Sequence, residues 1–207
     1  LPSVSSARYL GVHIDSAMSW NTQMDRCVAR LTKKVGVLWR MRRCLSMQSR
    51  IQYFKSVIMP DFSYGSNAFS ASLAGKHLDR LQVLQNRAAR AVYGCSPRTS
   101  ARNLLVQLGA YRVREIFIQK LIFLVWRCRY SRASPTLQVL LLPTSGAPTR
   151  LQLSMGLRPP PTRTELGKGC LAFQGARLWS NALPSEVRAI PHPAQFRTAA
   201  VPHSMNP

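Results

Sequence analysis

Across 207 residues, 29 Lys and Arg stand against 7 Asp and Glu, a formal net charge of +22. So few acids leave most cations without an intrachain partner and point to polyanions, with nucleic acid first and an anionic membrane surface second. The same scarcity argues against extensive acid–base chemistry, and five widely spaced cysteines (Cys27, Cys44, Cys95, Cys128, Cys170) with no C-x-x-C pair disfavour a disulfide framework and a zinc site.

The cations are mostly Arg, whose planar fork can bind phosphate bidentately. No secretory pattern opens the chain, and unpaired cysteines suit a reducing interior. The longest apolar run, Ile116 to Trp126, is broken by Gln119 and Lys120 and is too short to span a bilayer. The expectation is an intracellular protein, nuclear or cytoplasmic and not secreted, with no membrane partner. The length fits one domain, or one domain with an appendage. A start at Leu1 instead of Met is expected of a fragment or a processed product.

Residues 7–14, ARYLGVHI, read as one strand, followed by a turn at Asp15-Ser16. A lone strand needs a sheet, so its partners are expected upstream. Ser19 or Asn21 can cap a helix beginning near Trp20, with Met24, Cys27, Val28, Leu31, Val35 and Leu38 at helical spacing. Arg26, Arg30, Lys33 and Lys34 lie on its far side. A further helix is predicted from Met47 to Met59, capped by Ser46 and stopped by Pro60. Asp61 to Ser72 is aromatic and Gly/Ser-rich, a structured turn or short helix.

From Ala74 to Gly94 the pattern is clearest. At about 100° per residue, Leu78, Leu81, Leu84, Ala88 and Val92 share one side. Lys76, Arg80, Arg87 and Arg90 share the opposite side, and Gly94 is a C-terminal stop. Alone, such a stripe is what a solvated helix face looks like; its repetition along Arg26 to Lys34 shifts the balance towards phosphate. A short helix from Thr99 to Leu108 ends at Gly109. Residues Arg112 to Arg129 are apolar nearly all round, the pattern of a helix at the centre of a core. Beyond Ser134 prolines accumulate, and irregular chain is expected. Cys170 to Arg188 is an island, read as a short strand, a turn and a docking Trp-Leu-Pro.

Asp15 and Asp61 could in principle meet over a metal ion, and turn or cap roles suit them better. His13, His77, His192 and His203 show no ligand spacing. Cys95 has no assignable base. Gly167-Lys168-Gly169 lacks the remainder of a P-loop. Trp20, Trp39, Tyr53, Tyr64, Tyr93, Tyr111 and Trp126 interleave with the cations and can stack on bases. Trp39 and Trp126 are better read as core anchors.

Four stretches carry a family likeness. Tyr9–Asp15 (YLGVHID) with Met18–Trp20 (MSW) resembles a signature of non-LTR, LINE-type retrotransposon reverse transcriptases that follows the palm's catalytic region. Tyr53–Phe69 (YFKSVIMPDFSYGSNAF) and Leu78–Gly94 (LDRLQVLQNRAARAVYG) resemble the next two, the latter with Gln85, Asn86, Arg87, Ala88 and Arg90 in matching places. Phe173–Arg188 (FQGARLWSNALPSEVR) resembles the family's terminal motif, one residue longer between Trp and Leu-Pro. The four occur in the family's order.

The resemblance implies a mainly α fold: a helical thumb-like bundle, a single N-terminal strand from a truncated palm, and an irregular Pro-rich C-terminal segment. Residues 1–18 would be the last palm or primer-grip strand and 19–132 the thumb and its connection. Residues 133–207 would be the Pro-rich segment, with the island at 170–188. It implies RNA and DNA template–primer, and the missing palm, as partners. The catalytic aspartates would lie upstream, so no catalytic or metal-binding residue is assigned here, and Mg is expected only with that palm. The expected nucleic-acid-binding residues are Arg30, Lys33, Lys34, Lys76, Arg80, Arg87 and Arg90. Two other readings stay open: a free-standing basic helical RNA-binding module, and an inert relic of a decayed transposable element.

Overall fold

In the computed structural model, residues 4–130, 132–141 and 155–204 are described. They are mainly α-helical and fall into two compact units, one of residues 4–66 and 73–114, the other of residues 67–72 and those from 115 onward.

The first unit opens with a hairpin. Strands β1 (Ser6–Tyr9) and β2 (Val12–Asp15) pair antiparallel, with Ser6 opposite Asp15 and Tyr9 opposite Val12. The stretch expected as a single strand therefore supplies its own partner. The loop is Leu10-Gly11, at φ 46° and 79°. Positive φ at both central residues gives the twist that a two-residue hairpin requires. Leucine rarely adopts it, and Tyr64 Oη holds the turn by donating to Leu10 O at 2.6 Å.

The Asp15 carboxylate accepts from the backbone N–H groups of Ser19 (2.8 Å) and Trp20 (3.0 Å), steering the chain into α1 (Asn21–Met41). These bonds hold its pKa below the usual carboxylate value. Asp15, not Ser19 or Asn21, anchors this entry.

Helix α2 (Met47–Tyr53) is capped by Ser46, whose Oγ accepts from Ser49 N at 3.1 Å. The chain does not stop at Pro60. A π-helical turn, Phe54–Ile58, carries it into α3 (Met59–Ser63), with Met59 N–H reaching back to Phe54 O. The wide turn takes up the register break at Pro60, which has no N–H and whose ring conflicts with the carbonyl four residues back. Lys34 Nζ donates to the nearby Val57 carbonyl at 3.1 Å. After α4 (Ser66–Phe69), helix α5 (Gly75–Tyr93) packs on α1 and ends at Gly94, φ 68°. Met24, Leu31, Val35 and Leu38 of α1, Phe54, Ile58, Phe62, and Leu81, Leu84, Ala88 and Val92 of α5 are buried in this unit. Helix α6 (Ala101–Gln107) packs on α5.

The second unit is built on α7 (Val113–Arg129), whose C-terminal part is buried, as its all-round apolar pattern predicts. Trp126, Val125 and Ile122 join Leu141 of α8 (Pro135–Leu141), Leu157, Trp179 and Phe196 in one core. Trp126 and Trp179 stack on Phe196 at 5.5 and 5.8 Å between ring centroids. Their indole N–H groups donate to Ile190 O and Met155 O, each at 2.8 Å.

The Pro-rich region is more regular than composition suggests. It contains α9 (Glu165–Lys168), α10 (Leu171–Ala182), α11 (Ser185–Arg188) and α12 (Pro193–Ser204), while Pro159–Pro161 stays irregular. Pro193 sits at a helix start, where its missing N–H is harmless. The Cys170–Arg188 island is thus helix, an extended Leu183-Pro184, and helix. The strand expected there is absent, although Trp179 and Leu183 dock as expected. Gly175 explains the misreading. A Cβ there would lie 2.9 Å from Val125 Cγ2, so the glycine marks the close approach of α10 to α7 instead of a strand break.

Candidate nucleic-acid interface

Of the expected α5 seam, Leu81, Leu84, Ala88 and Val92 are buried and Leu78 is half-buried. Burial extends beyond it to His77, Gln85, Ala89 and Ala91. The amides beside the seam form a network. Gln82 Nε2 donates to Gln85 Oε1 and Asn86 Oδ1, both at 2.9 Å, and Gln85 Nε2 donates to Tyr111 O at 2.8 Å. Gln85 of the family-like motif therefore ties α5 to the chain that follows, while Asn86 bonds within the helix.

The seven expected cations separate into two sets. Arg30 Nε lies 3.3 Å and Lys34 Nζ 2.8 Å from Asp61 Oδ2. With its second bond to Val57 O, Lys34 links α1 to the π-turn and to the first turn of α3, where the dipole also favours a carboxylate. Arg80 Nη1 pairs with Asp25 Oδ1 at 2.8 Å, joining α5 to α1. Arg90 Nε donates to Thr99 O at 2.8 Å. By contrast, Lys33, Lys76 and Arg87 are exposed and have no hydrogen-bond or ion-pair partner among the described residues. The predicted stripe is thus part fastening and part open charge.

The two acids weighed for a metal pair are spoken for, Asp15 by the turn before α1 and Asp61 by Arg30 and Lys34. Among the described residues, no three His, Cys, Asp or Glu side chains are grouped closely enough to hold a metal ion. His77 is buried, and its Nε2 lies 3.0 Å from Asn21 Oδ1. Burial, then Lys76 and Arg80, lowers its pKa, so the ring is neutral at pH 7 and is a poor phosphate contact. Tyr53 Oη reaches Lys34 O at 3.5 Å. Trp39, expected in the core, is 36% exposed, with the Arg42 guanidinium 4.0 Å above its ring.

A basic cavity of about 340 Å³ lies beside α5 and α6, lined by Arg90, Arg102 and Arg112 with Asn86 and Ser100. Arg102 and Arg112 lie beyond the α5 stripe in sequence, so its periodicity does not reach them. The packing of α6 on α5 brings Arg102 beside Arg90, and the segment before α7 brings Arg112 there.

No helix among the described residues is long and apolar enough to cross a membrane. No family model matches the chain, and no solved structure matches it. Two curated proteins of Drosophila melanogaster do. One, a probable RNA-directed DNA polymerase from transposon X-element, is 29% identical over 98 residues, 46% of this chain and 11% of that protein. The other, a probable RNA-directed DNA polymerase from transposon BS, is 25% identical over 118 residues, 56% of this chain and 13% of that protein. The chain therefore spans only a small part of the length of these relatives. Both similarities relate it to transposon-encoded RNA-directed DNA polymerases.

Proposed function

We propose that this chain is a portion of the RNA-directed DNA polymerase of a LINE-type retrotransposon, and that it grips template–primer RNA and DNA through its basic helical surface. On this reading the helices from Trp20 to about Arg132 act as the thumb and its connection, and the palm of the parent polymerase is their partner. Polymerisation and its Mg belong to that palm. The role of this portion is positional and independent of sequence, as phosphate contacts are. The order of the four family-like motifs and the similarity to two such polymerases support the family.

The observation that carries the binding role is the pairing of the cations. The ion pairs and carbonyl bonds of α1 and α5 engage Arg30, Lys34, Arg80 and Arg90, and they leave Lys33, Lys76 and Arg87 open. With a net charge of +22, the open charges meet no competing surplus of acid.

Anisotropy of a labelled RNA–DNA hybrid duplex, titrated with the full chain across a salt series, tests this. If four to seven phosphates are neutralised, the log–log slope of the association constant is about −3 to −6. A slope near zero, or an affinity unmoved by Arg87→Glu, would overturn the reading.

A further inference from the structure

Helix α1 carries Gly36 in its middle, where glycine destabilises a helix by roughly 1 kcal/mol relative to alanine. Close packing is the common reason for such a residue, and it does not operate here. A Cβ built on Gly36 would meet nothing within 4 Å, in contrast to the 2.9 Å contact at Gly175. The space above Gly36 is an open groove of about 370 Å³ between α1 and α5, within the size range of small-molecule clefts, about 300–1,000 Å³.

Its lining has two characters. Val35 and Leu84 give it an apolar floor, and Trp39, one turn beyond Gly36, gives it a half-exposed aromatic wall. Arg87 and Arg90, one turn apart on α5, also line it, and among the described residues no acid does. Arg90 is fixed by its bond to Thr99 O, while Arg87 is unpaired among the described residues. An aromatic ring beside two guanidinium groups, with Gly36 adding no side chain to the Val35 and Leu84 floor, suits a flat π-system bearing a phosphodiester on the ring face that the Arg42 guanidinium does not cover. Stacking on aromatic residues combined with backbone charge is the physics of single-strand recognition.

The geometry points to a subsite for one unpaired nucleobase of a single-stranded RNA or DNA, stacked on Trp39 in the Gly36 groove, its flanking phosphate on Arg87 and Arg90. It rests on the nucleic-acid reading above and adds a base-dependent contact to a grip otherwise made through phosphates.

The test compares two probes of equal charge, a labelled dT12 strand and a twelve-unit abasic strand, with the full chain and with Gly36→Leu. The substitution removes no charge, raises helix propensity and projects into the groove. The wild-type chain is expected to prefer dT12 about tenfold. Gly36→Leu is expected to bind both probes at the abasic level, with the salt slope unchanged. Trp39→Leu is expected to do the same, with partial recovery in Trp39→Phe. Equal wild-type affinity for the two probes overturns the subsite but leaves the phosphate grip standing, as does a preference that survives in Gly36→Leu. Failure to bind either probe overturns the subsite where the hybrid duplex still binds, and overturns the nucleic-acid reading itself where the duplex fails as well. Sedimentation showing self-association that Gly36→Leu abolishes would place a second copy in the groove, and overturns the proposal too.

Discussion

Two helical glycines separate the two units of this chain. Gly175 in α10 lies where a Cβ would press to 2.9 Å on the buried Val125, and around it Trp126, Trp179 and Phe196 form a closed aromatic core. Gly36 in α1 lies under open space, with Trp39, Arg87 and Arg90 around it. The same residue type answers two different demands, close packing in one unit and an open floor in the other. The second unit has Trp126 and Trp179 inside with their indole N–H groups satisfied; the first leaves Trp39 half-exposed.

The contrast can be broken by substitution. Gly175→Ala forces a methyl against a stiff, buried β-branched side chain, and overpacking of that kind costs about 1–3 kcal/mol. The helix-propensity gain of roughly 1 kcal/mol offsets part of this, leaving a net loss of about 1 kcal/mol. Gly175→Leu adds more volume at the same contact and is expected to lose about 3 kcal/mol. Gly36→Ala meets no neighbour and is expected to gain up to about 1 kcal/mol. Urea midpoints, compared at constant m-value, measure all three. A gain at Gly175, or a loss at Gly36, would erase the distinction.

A smaller effect concerns His77. Its folded-state pKa is lowered, first by burial and then by Lys76 and Arg80, with Asp25 opposing. The unfolded chain therefore binds a proton that the folded chain resists. Stability contributed by the neutral ring is complete above the unfolded histidine value of about 6.5 and is lost as pH falls below it. Stability measured between pH 8 and 5 should fall on the acid side, and His77→Gln should flatten that fall. An unchanged profile in His77→Gln would place its origin elsewhere.

Much of this architecture is legible in the residues themselves. Leu81, Leu84, Ala88, Val92 and Gly94 define α5 because burial on one face and a left-handed stop are local demands. The apolar run of α7 likewise announces a buried helix. The features that escape reading depend on distant or strained chain. Leu10 at φ 46° looks like one more apolar residue of a strand, so the hairpin hides in a single run. Pro60 reads as a stop because nothing in its neighbourhood announces the π-turn that carries the helix past it. In the candidate site, periodicity found the cations but not their partners. Asp61 lies 27 residues from Lys34 in sequence and meets it only once α3 docks against α1. Trp39, one turn beyond the glycine, looked like a core anchor because periodicity does not show an empty groove.

On the proposed reading, open cations bind phosphate while their paired neighbours fasten the fold. The direct measurement is the salt dependence of hybrid-duplex affinity for a Lys33→Gln, Lys76→Gln, Arg87→Gln triple variant beside the wild-type chain. The expected slope is flatter by about 2 to 3, near one unit per lost phosphate contact, with the urea midpoint unchanged. An unchanged slope in a triple variant that remains folded would contradict it.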